Sequence, residues 1–217
     1  MDHQSGSREN GAKRSIVIDF DGTVTEDDLL DTIALSFGDP AVYQEVEDGL
    51  DAGTMPLREV ITREFAPVTA PLEKVVAWVL EHTRVRGGFR ELVEEAQAAG
   101  WEVHVVSSGF HELIEPVLER EGVEVLLHAN RIDPSPSGWR VEWRYPDVCD
   151  QCGESCKRAL LPDGYVVYIG DGYSDRCAAL ASDRVFATRG LAHYLSEHGI
   201  PFESFSDFHG VSSALAA

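Results

Sequence analysis

Ser15-Ile16-Val17-Ile18-Asp19-Phe20-Asp21-Gly22-Thr23-Val24 is the stretch on which the reading of this chain turns. Ile16 to Ile18 is an apolar run of the length of a buried strand, and it stops at two aspartates separated by Phe20, with Gly22 next. Residues i and i+2 of a strand share a face, so Asp19 and Asp21 lean into one small space at the strand's carboxyl end. Two carboxylates held there repel each other and are costly to bury unless a cation or a shared proton relieves them. The bland alternative is a solvated Asp-Gly turn after an edge strand.

Three later features weigh against that alternative. Trp101 to Val106 is a second apolar run and ends in Ser107-Ser108-Gly109; Tyr165 to Ile169 is a third and ends in Gly170-Asp171-Gly172-Tyr173-Ser174-Asp175. Between them lies Lys157, one of 3 lysines in a chain with 15 arginines. A strand followed by a hydroxyl or carboxylate, a glycine and then a helix is expected where a parallel sheet presents ligands at its carboxyl edge. In order and spacing these four segments resemble the motifs of the haloacid dehalogenase superfamily, and the resemblance to its aspartate-nucleophile phosphatases extends over nearly the whole chain after residue 13.

Composition sets bounds around that reading. At 217 residues with 43% hydrophobic content, the chain supports one domain with an elaboration and a substantial core. A net charge of −20 argues against nucleic acid or an anionic membrane surface as a partner, and it requires the site to be locally positive for an anionic substrate. A divalent metal together with Lys157 would meet that need. No apolar stretch approaches membrane-spanning length. Residues 1–13 are polar, with a Ser-Gly-Ser run and no apolar targeting core, and read as a disordered leader of a cytoplasmic protein.

Cys149, Cys152 and Cys156 form Cys-x-x-Cys-x-x-x-Cys just ahead of Lys157, and Cys177 is the fourth cysteine. Clustered cysteines in a cytosolic chain suggest metal or thiol chemistry rather than a disulfide framework. A zinc site would need a fourth ligand, Cys177 or a histidine. The spacing matches no complete zinc pattern, which favours small residues packed in a tight loop around the lysine.

From Glu26 to Arg86 apolar residues recur at helical spacing: Leu29, Leu30, Ile33 and Ala34; Val60, Ile61 and Phe65; Leu72, Val75, Val76, Val79 and Leu80. Pro40, Gly53, Pro56, Pro67 and Pro71 divide them into three or four short helices. This predicts a small helical cap over 26–86, inserted after the first strand of a core built from 14–25 and 87–217. The core alternates helix and strand from Gly88 onward. The spacing predicts helices at Phe89–Ala99, His111–Arg120, Lys157–Leu161, Ser174–Ala181 and Leu191–His198, and strands at Val103–Val106, Val123–His128, Tyr165–Ile169 and Arg184–Ala187. The expected fold is α/β, a Rossmann-like parallel sheet with helices on both faces. The turn-rich segment 133–138, followed by alternating Trp139, Val141 and Trp143, predicts a β-hairpin flap.

The resemblance assigns roles. It implies Asp19 as nucleophile, passing through an aspartyl-phosphate, and Asp21 as general acid and base. It places Mg²⁺ among Asp19, Asp21, Asp171 and Asp175. Ser107, with the Ser108 and Gly109 amides, would hold phosphate oxygens, and Lys157 would stabilise the transferring group. Each has a plainer role available: a helix cap for Ser107, a solvated lysine for Lys157, a first-turn acid for Asp175.

The small helical cap resembles the subgroup containing phosphoserine phosphatases. Asp-Phe-Asp-Gly-Thr-Val-Thr with Asp28 following, the Cys-Gly-x-x-Cys-Lys lead-in, and the segment from Val185-Phe186-Ala187 to Gly199-Ile200-Pro201-Phe202 are closer to the methionine-salvage phosphatases that act on an enol phosphate. Phosphocholine and phosphoethanolamine phosphatases share the cysteine before the lysine. Phosphoserine phosphatases usually carry a glutamate where Asp28 stands. Asp28, Arg58 and Arg63 are candidates for the non-phosphate part of a small phosphate ester. A phosphotransferase or mutase would use the same motifs, a non-catalytic binding module is the reading outside enzymes, and the resemblance is compatible with a homodimer.

Overall fold

The structure is a computed structural model that describes residues 13–144, 148–154 and 156–216; the expected leader lies outside these but for Lys13. The run around Ile16 becomes β1 (Arg14–Ile18), which is flanked by β2 (Glu102–Phe110) and β5 (Tyr165–Gly170), parallel to both. With β3 (Leu126–Asp133), β4 (Arg140–Glu142), β6 (Arg184–Ala187) and β7 (Glu203–Ser204), the sheet runs β4-β3-β2-β1-β5-β6-β7. Among the described strands only β4 is antiparallel to its neighbour, closing a hairpin with β3 through Ile132 opposite Val141. The chain therefore winds outward from β1 in one direction, then restarts at β5 on the other side. Loops diverge at that point and leave a crevice at the strands' carboxyl ends.

Strand alternation divides the core. Ile16 and Ile18 join an apolar layer with Phe89, Leu113 and Phe208, whereas Val17 joins Tyr168, Ala178 and Leu191 on the opposite face. Both layers are covered by helices, as burial on two faces requires of a parallel sheet.

Four helices separate β1 from β2: α1 (Leu29–Phe37), α2 (Pro40–Asp51), α3 (Leu57–Phe65) and α4 (Leu72–His82). Their starts follow local rules. Asp28 accepts from the Leu30 and Asp31 amides, Asp39 accepts from Ala41 with Pro40 next, and Pro56 and Pro71 immediately precede α3 and α4. The incoming and outgoing chains run side by side: Glu26 N donates to Arg84 O at 2.9 Å and Arg86 N to Val24 O at 2.8 Å. The β3–β4 hairpin grips this insertion. Trp139 donates its backbone N–H to Val68 O and its Nε1–H to Ala70 O, both at 2.9 Å, while Phe65 lies edge-on to Phe110 with ring centroids 4.6 Å apart.

The remaining helices are α5 (Phe89–Ala98), α6 (His111–Glu121), α7 (Arg176–Ala179), α8 (Arg189–Glu197) and α9 (Phe208–Ala216). Three expected elements differ. β3 begins at Leu126 rather than Val123, because Gly122 turns left-handed and Val123 N–H bonds back to Leu118 O, ending α6 in a helix-terminating turn. Lys157 sits on a single 3₁₀ turn, Lys157–Leu160, rather than on an α-helix. The helix expected over 174–181 is instead a 3₁₀ turn, Tyr173–Asp175, followed by the short α7. No described helix is long and apolar enough to cross a membrane.

Candidate active site

β1 delivers Asp19 and Asp21 to the crevice beside β5, where Asp19 N–H bonds Ile169 O at 2.9 Å. Immediately after them the chain turns at Gly22, whose φ of +75° and close approach exclude a side chain: a Cβ there would lie 2.4 Å from Asp171 Oδ2. β2 brings Ser107, and its pairing with β3 shifts register between Val106 and Phe110, an irregularity of the kind that re-aims side chains. Asp19, Asp21, Ser107, Lys157, Asp171 and Asp175 are all buried.

Their contacts form one network. Lys157 Nζ donates to Asp19 Oδ1, and to Asp175 Oδ1 at 2.7 Å. Asp175 Oδ1 also accepts from Tyr168 Oη at 2.7 Å, and its Oδ2 accepts the Asp171 and Gly172 amides at 2.9 Å each. Thr23 Oγ1 donates to Asp171 Oδ1 at 2.8 Å, and the Arg189 guanidinium lies 3.6 Å from Asp171 Oδ2. Ser107 Oγ donates to Asp21 Oδ2 at 2.6 Å and accepts Gly109 N–H at 2.7 Å. Asp21 Oδ1 is buried with no partner among the described residues.

The electrostatics are those of too many acids in too little water. Burial, then repulsion from Asp175, pushes Asp19 well above the usual carboxylate range, although Lys157 opposes the shift. Burial and Asp28 push Asp21 up to about 7, and burial and Asp175 raise Asp171. Carboxylate oxygens of Asp19, Asp171 and Asp175 lie within 4.8 Å of one another. An all-oxygen donor set with excess negative charge fits a hard divalent cation such as Mg²⁺. The carboxylates do not contribute equally to that fit. A carboxylate has about four acceptor positions, and Asp175 has four donors on it already. Asp19 and Asp171 retain acceptor capacity, and the Asp21 side chain lies outside the group of three.

Above this floor is a cavity of about 180 Å³ roofed by the inserted helices, through Leu57, Val60 and Ile61 and through Asp28, Asp31, Glu47 and Glu64. Asp28 reaches the wall while its Oδ1 caps α1. Ser108 lines the cavity, but the Gly109 amide expected to meet phosphate is occupied by Ser107 Oγ. The two cap arginines lie elsewhere. Arg63 pairs with Glu45 at 2.7 Å on the surface, and Arg58 stacks on Trp143 with its guanidinium 4.8 Å from the ring centre. Local spacing put them on the cap but could not say which face of α3 meets the cavity. The roof is acidic instead: Asp31, Glu47 and Glu64 oxygens lie within 4.8 Å of one another.

Sequence reading missed Thr23, Tyr168 and Arg189, which buttress Asp171 and Asp175. Thr23 stands inside the first motif and was open to inference. Tyr168 and Arg189 looked like an ordinary strand residue and an ordinary helix-start residue. Arg189 is the only non-glycine at positive φ among the described residues, at 47°, a departure visible only in three dimensions.

A sequence profile described as haloacid dehalogenase-like hydrolase matches residues 16–180. A protein of Geobacillus kaustophilus named 2-hydroxy-3-keto-5-methylthiopentenyl-1-phosphate phosphatase is 32% identical over 208 residues, covering 91% of this chain and 93% of its own. A protein of the same name from Geobacillus thermodenitrificans is 31% identical, covering 94% and 96%. Among solved structures, a phosphoserine phosphatase described as a phospho-aspartyl intermediate analogue superposes with a TM-score of 0.72 at 19% identity, covering 94% of this chain and 99% of that one, which shows a shared fold.

Proposed function

The chain belongs to the haloacid dehalogenase-like hydrolases, and on that premise we propose that it is a Mg²⁺-dependent phosphomonoesterase for a small metabolite, with Asp19 as the nucleophile. The observation that carries this reading is the buried Asp19–Lys157–Asp175 chain beside an Asp21 oxygen that has no partner among the described residues. Asp19 attacks phosphorus, the ester P–O bond breaks, and Asp21 gives its proton to the departing alkoxide. Water then attacks the acyl phosphate, Asp21 takes the proton back, and inorganic phosphate leaves with Asp19 regenerated. Ser107 orients Asp21 through its 2.6 Å hydrogen bond and Lys157 spreads positive charge over the transferring group. A Mg²⁺ ion held by Asp19 and Asp171 would neutralise the charge between a carboxylate and a phosphate dianion. Asp175 orients Lys157 and the Asp171 backbone rather than meeting the cation.

For the substrate, the two relatives' name and the cavity roof support the same choice. The 2-hydroxy-3-keto-5-methylthiopentenyl group is uncharged apart from its phosphate, and an acidic roof tolerates it while repelling the carboxylate of phosphoserine. The cluster of Asp31, Glu47 and Glu64 favours, as a second reading, an ester with a cationic amine such as phosphocholine or phosphoethanolamine.

Phosphate release should be abolished by EDTA, restored by Mg²⁺, and reduced by Ca²⁺, whose looser coordination spoils in-line geometry. Asp19→Asn should fold and lose at least about 10³-fold in kcat. Full activity in chelator, or in a folded Asp19→Asn protein, overturns the mechanism. A kcat/KM for phosphoserine above those for the enol phosphate and phosphoethanolamine overturns the substrate reading.

A further inference from the structure

Outside the catalytic crevice, the fold collects all four cysteines of the chain at one place. Along the sequence the Cys-x-x-Cys-x-x-x-Cys spacing completes no zinc pattern, which favoured simple packing. The structure supplies the missing member: Cys177, on α7, meets the 149–156 loop. The Sγ atoms of Cys149, Cys152, Cys156 and Cys177 all lie within 4.8 Å of one another, and Cys149 Sγ is 3.8 Å from Cys177 Sγ. We infer that these four cysteines form a tetrahedral zinc site that holds the catalytic Lys157 in place.

The distances carry the assignment. A tetrahedral ion with Zn–S bonds of about 2.3 Å sets its sulfurs ~3.8 Å apart. A disulfide needs about 2.0 Å, and none of the four is bonded in that way. The loop also has the local form of a metal-binding turn. Gln151 N–H points at Cys149 Sγ from 3.4 Å, the kind of backbone contact that steadies a ligating thiolate, and Gly153 N–H bonds Cys149 O at 2.8 Å. Gly153 closes the turn at φ +73°. Four thiolates on Zn²⁺ leave a net charge of −2. Arg158 and Arg176 both line the adjoining cavity beside Cys177, Arg176 with its buried Nε lacking a partner among the described residues.

The placement gives the ion a task. Cys156 immediately precedes Lys157, and Cys177 follows Asp175 by two residues, while Lys157 and Asp175 bond each other at 2.7 Å. One ion would thus staple the two short turns that carry the catalytic cation and its orienting acid. Neither turn is long enough to be a stable helix alone. Binding is a simple exchange, in which four S–H protons leave as four Zn–S bonds form. This inference stands on the cysteine geometry and does not depend on the substrate or on the Mg²⁺ reading.

The test uses the full-length chain purified without chelator or metal-affinity resin. Elemental analysis should find one zinc per chain. Exchange with Co²⁺ should give the thiolate charge-transfer and tetrahedral d–d bands of a four-sulfur site. Thiol titration of the native protein should find the cysteines shielded until a mercurial displaces the metal. Cys152 is exposed, so Cys152→Ser should fold by far-ultraviolet circular dichroism yet bind zinc at least about 10²-fold more weakly. In that variant kcat should fall with KM little changed, as Lys157 loses its anchor. Cys177→Ser serves as the buried counterpart, and Cys152→Ser decides the matter should it fail to fold. A protein that neither carries nor takes up zinc or cobalt while all four thiols react freely overturns the inference. So does a Cys149–Cys177 disulfide found by mass spectrometry, or stoichiometric iron in place of zinc.

Discussion

Asp175 and Asp171 stand four residues apart with opposite relations to their surroundings. Asp175 satisfies the buried ammonium of Lys157 and the Tyr168 hydroxyl, so its charge is compensated by the protein itself. Asp171 is held by Thr23 and faces Asp19 and Asp175, so part of its charge awaits compensation from outside. Substitution should separate the two. Asp175→Asn leaves a buried lysine short of its partner and should destabilise the metal-free protein by about 3–5 kcal/mol. Asp171→Asn removes a repelled carboxylate, so the melting temperature in EDTA should hold or rise while the Mg²⁺ concentration for half-maximal activity rises at least about tenfold. Thermal melts in chelator and Mg²⁺ titrations of activity read the two effects. Equal losses of stability in both variants would mean that the two acids share one role.

At the scale of elements, the inserted helices present acids rather than arginines to the cavity. Glu64, on α3, is 3% exposed, with Oε1 lacking a partner among the described residues. Burial first, then Glu47 and Asp31, pushes its carboxyl up to about 9. The consequence for stability has a definite sign. Between about pH 4.5 and 9 the unfolded chain releases this proton while the folded chain keeps it. Stability therefore falls as pH rises through that window, by up to ~1.4 kcal/mol per unit from this residue. Glu64→Gln keeps a donor of similar shape and removes that slope. Denaturant unfolding from pH 5 to pH 9 should show the variant overtaking the parent protein as pH rises. Parallel curves would show that Glu64 ionises in the fold at its ordinary pKa.

The β3–β4 hairpin acts at the scale of the whole molecule, because it joins the sheet edge to the roof of the cavity. Trp139 is 2% exposed, stacks on Phe65 with centroids 6.4 Å apart, and makes two hydrogen bonds to the segment between α3 and α4. Trp139→Ala should cost about 3–5 kcal/mol of stability. It should also loosen the roof, raising KM for a true substrate more than for p-nitrophenyl phosphate, whose non-phosphate part asks less of the cap. Loss of stability with both KM values unchanged would confine Trp139 to the core. The same hairpin shows where local pattern suffices: Trp139, Val141 and Trp143 alternate, a turn precedes them, and the strand forms where that alternation predicts.

By itself the sequence determined what strand period and terminating residues dictate. The apolar run before Asp19 had to be a strand buried on both faces, and helix–strand alternation after Gly88 had to give a parallel sheet. The acids and hydroxyl at the strand ends, Asp19, Asp21, Ser107 and Asp171, were legible because a parallel sheet aligns such ends at one edge. Lys157 was legible through its scarcity and its place between motifs. What needed the tertiary structure were relations between segments whose spacing encodes nothing about their distance in space. Which face of α3 meets the cavity is set by its packing against β2 and the hairpin; so Glu64 looks inward while Arg63 pairs with Glu45 outside. Asp175's four donors come from the loop after β5, a strand tyrosine and a lysine on a separate turn, and only their convergence uses up its oxygens. The four cysteines follow the same logic: three lie in one loop, and α7 brings the fourth, because a tetrahedral set of sulfurs is a property of folded space.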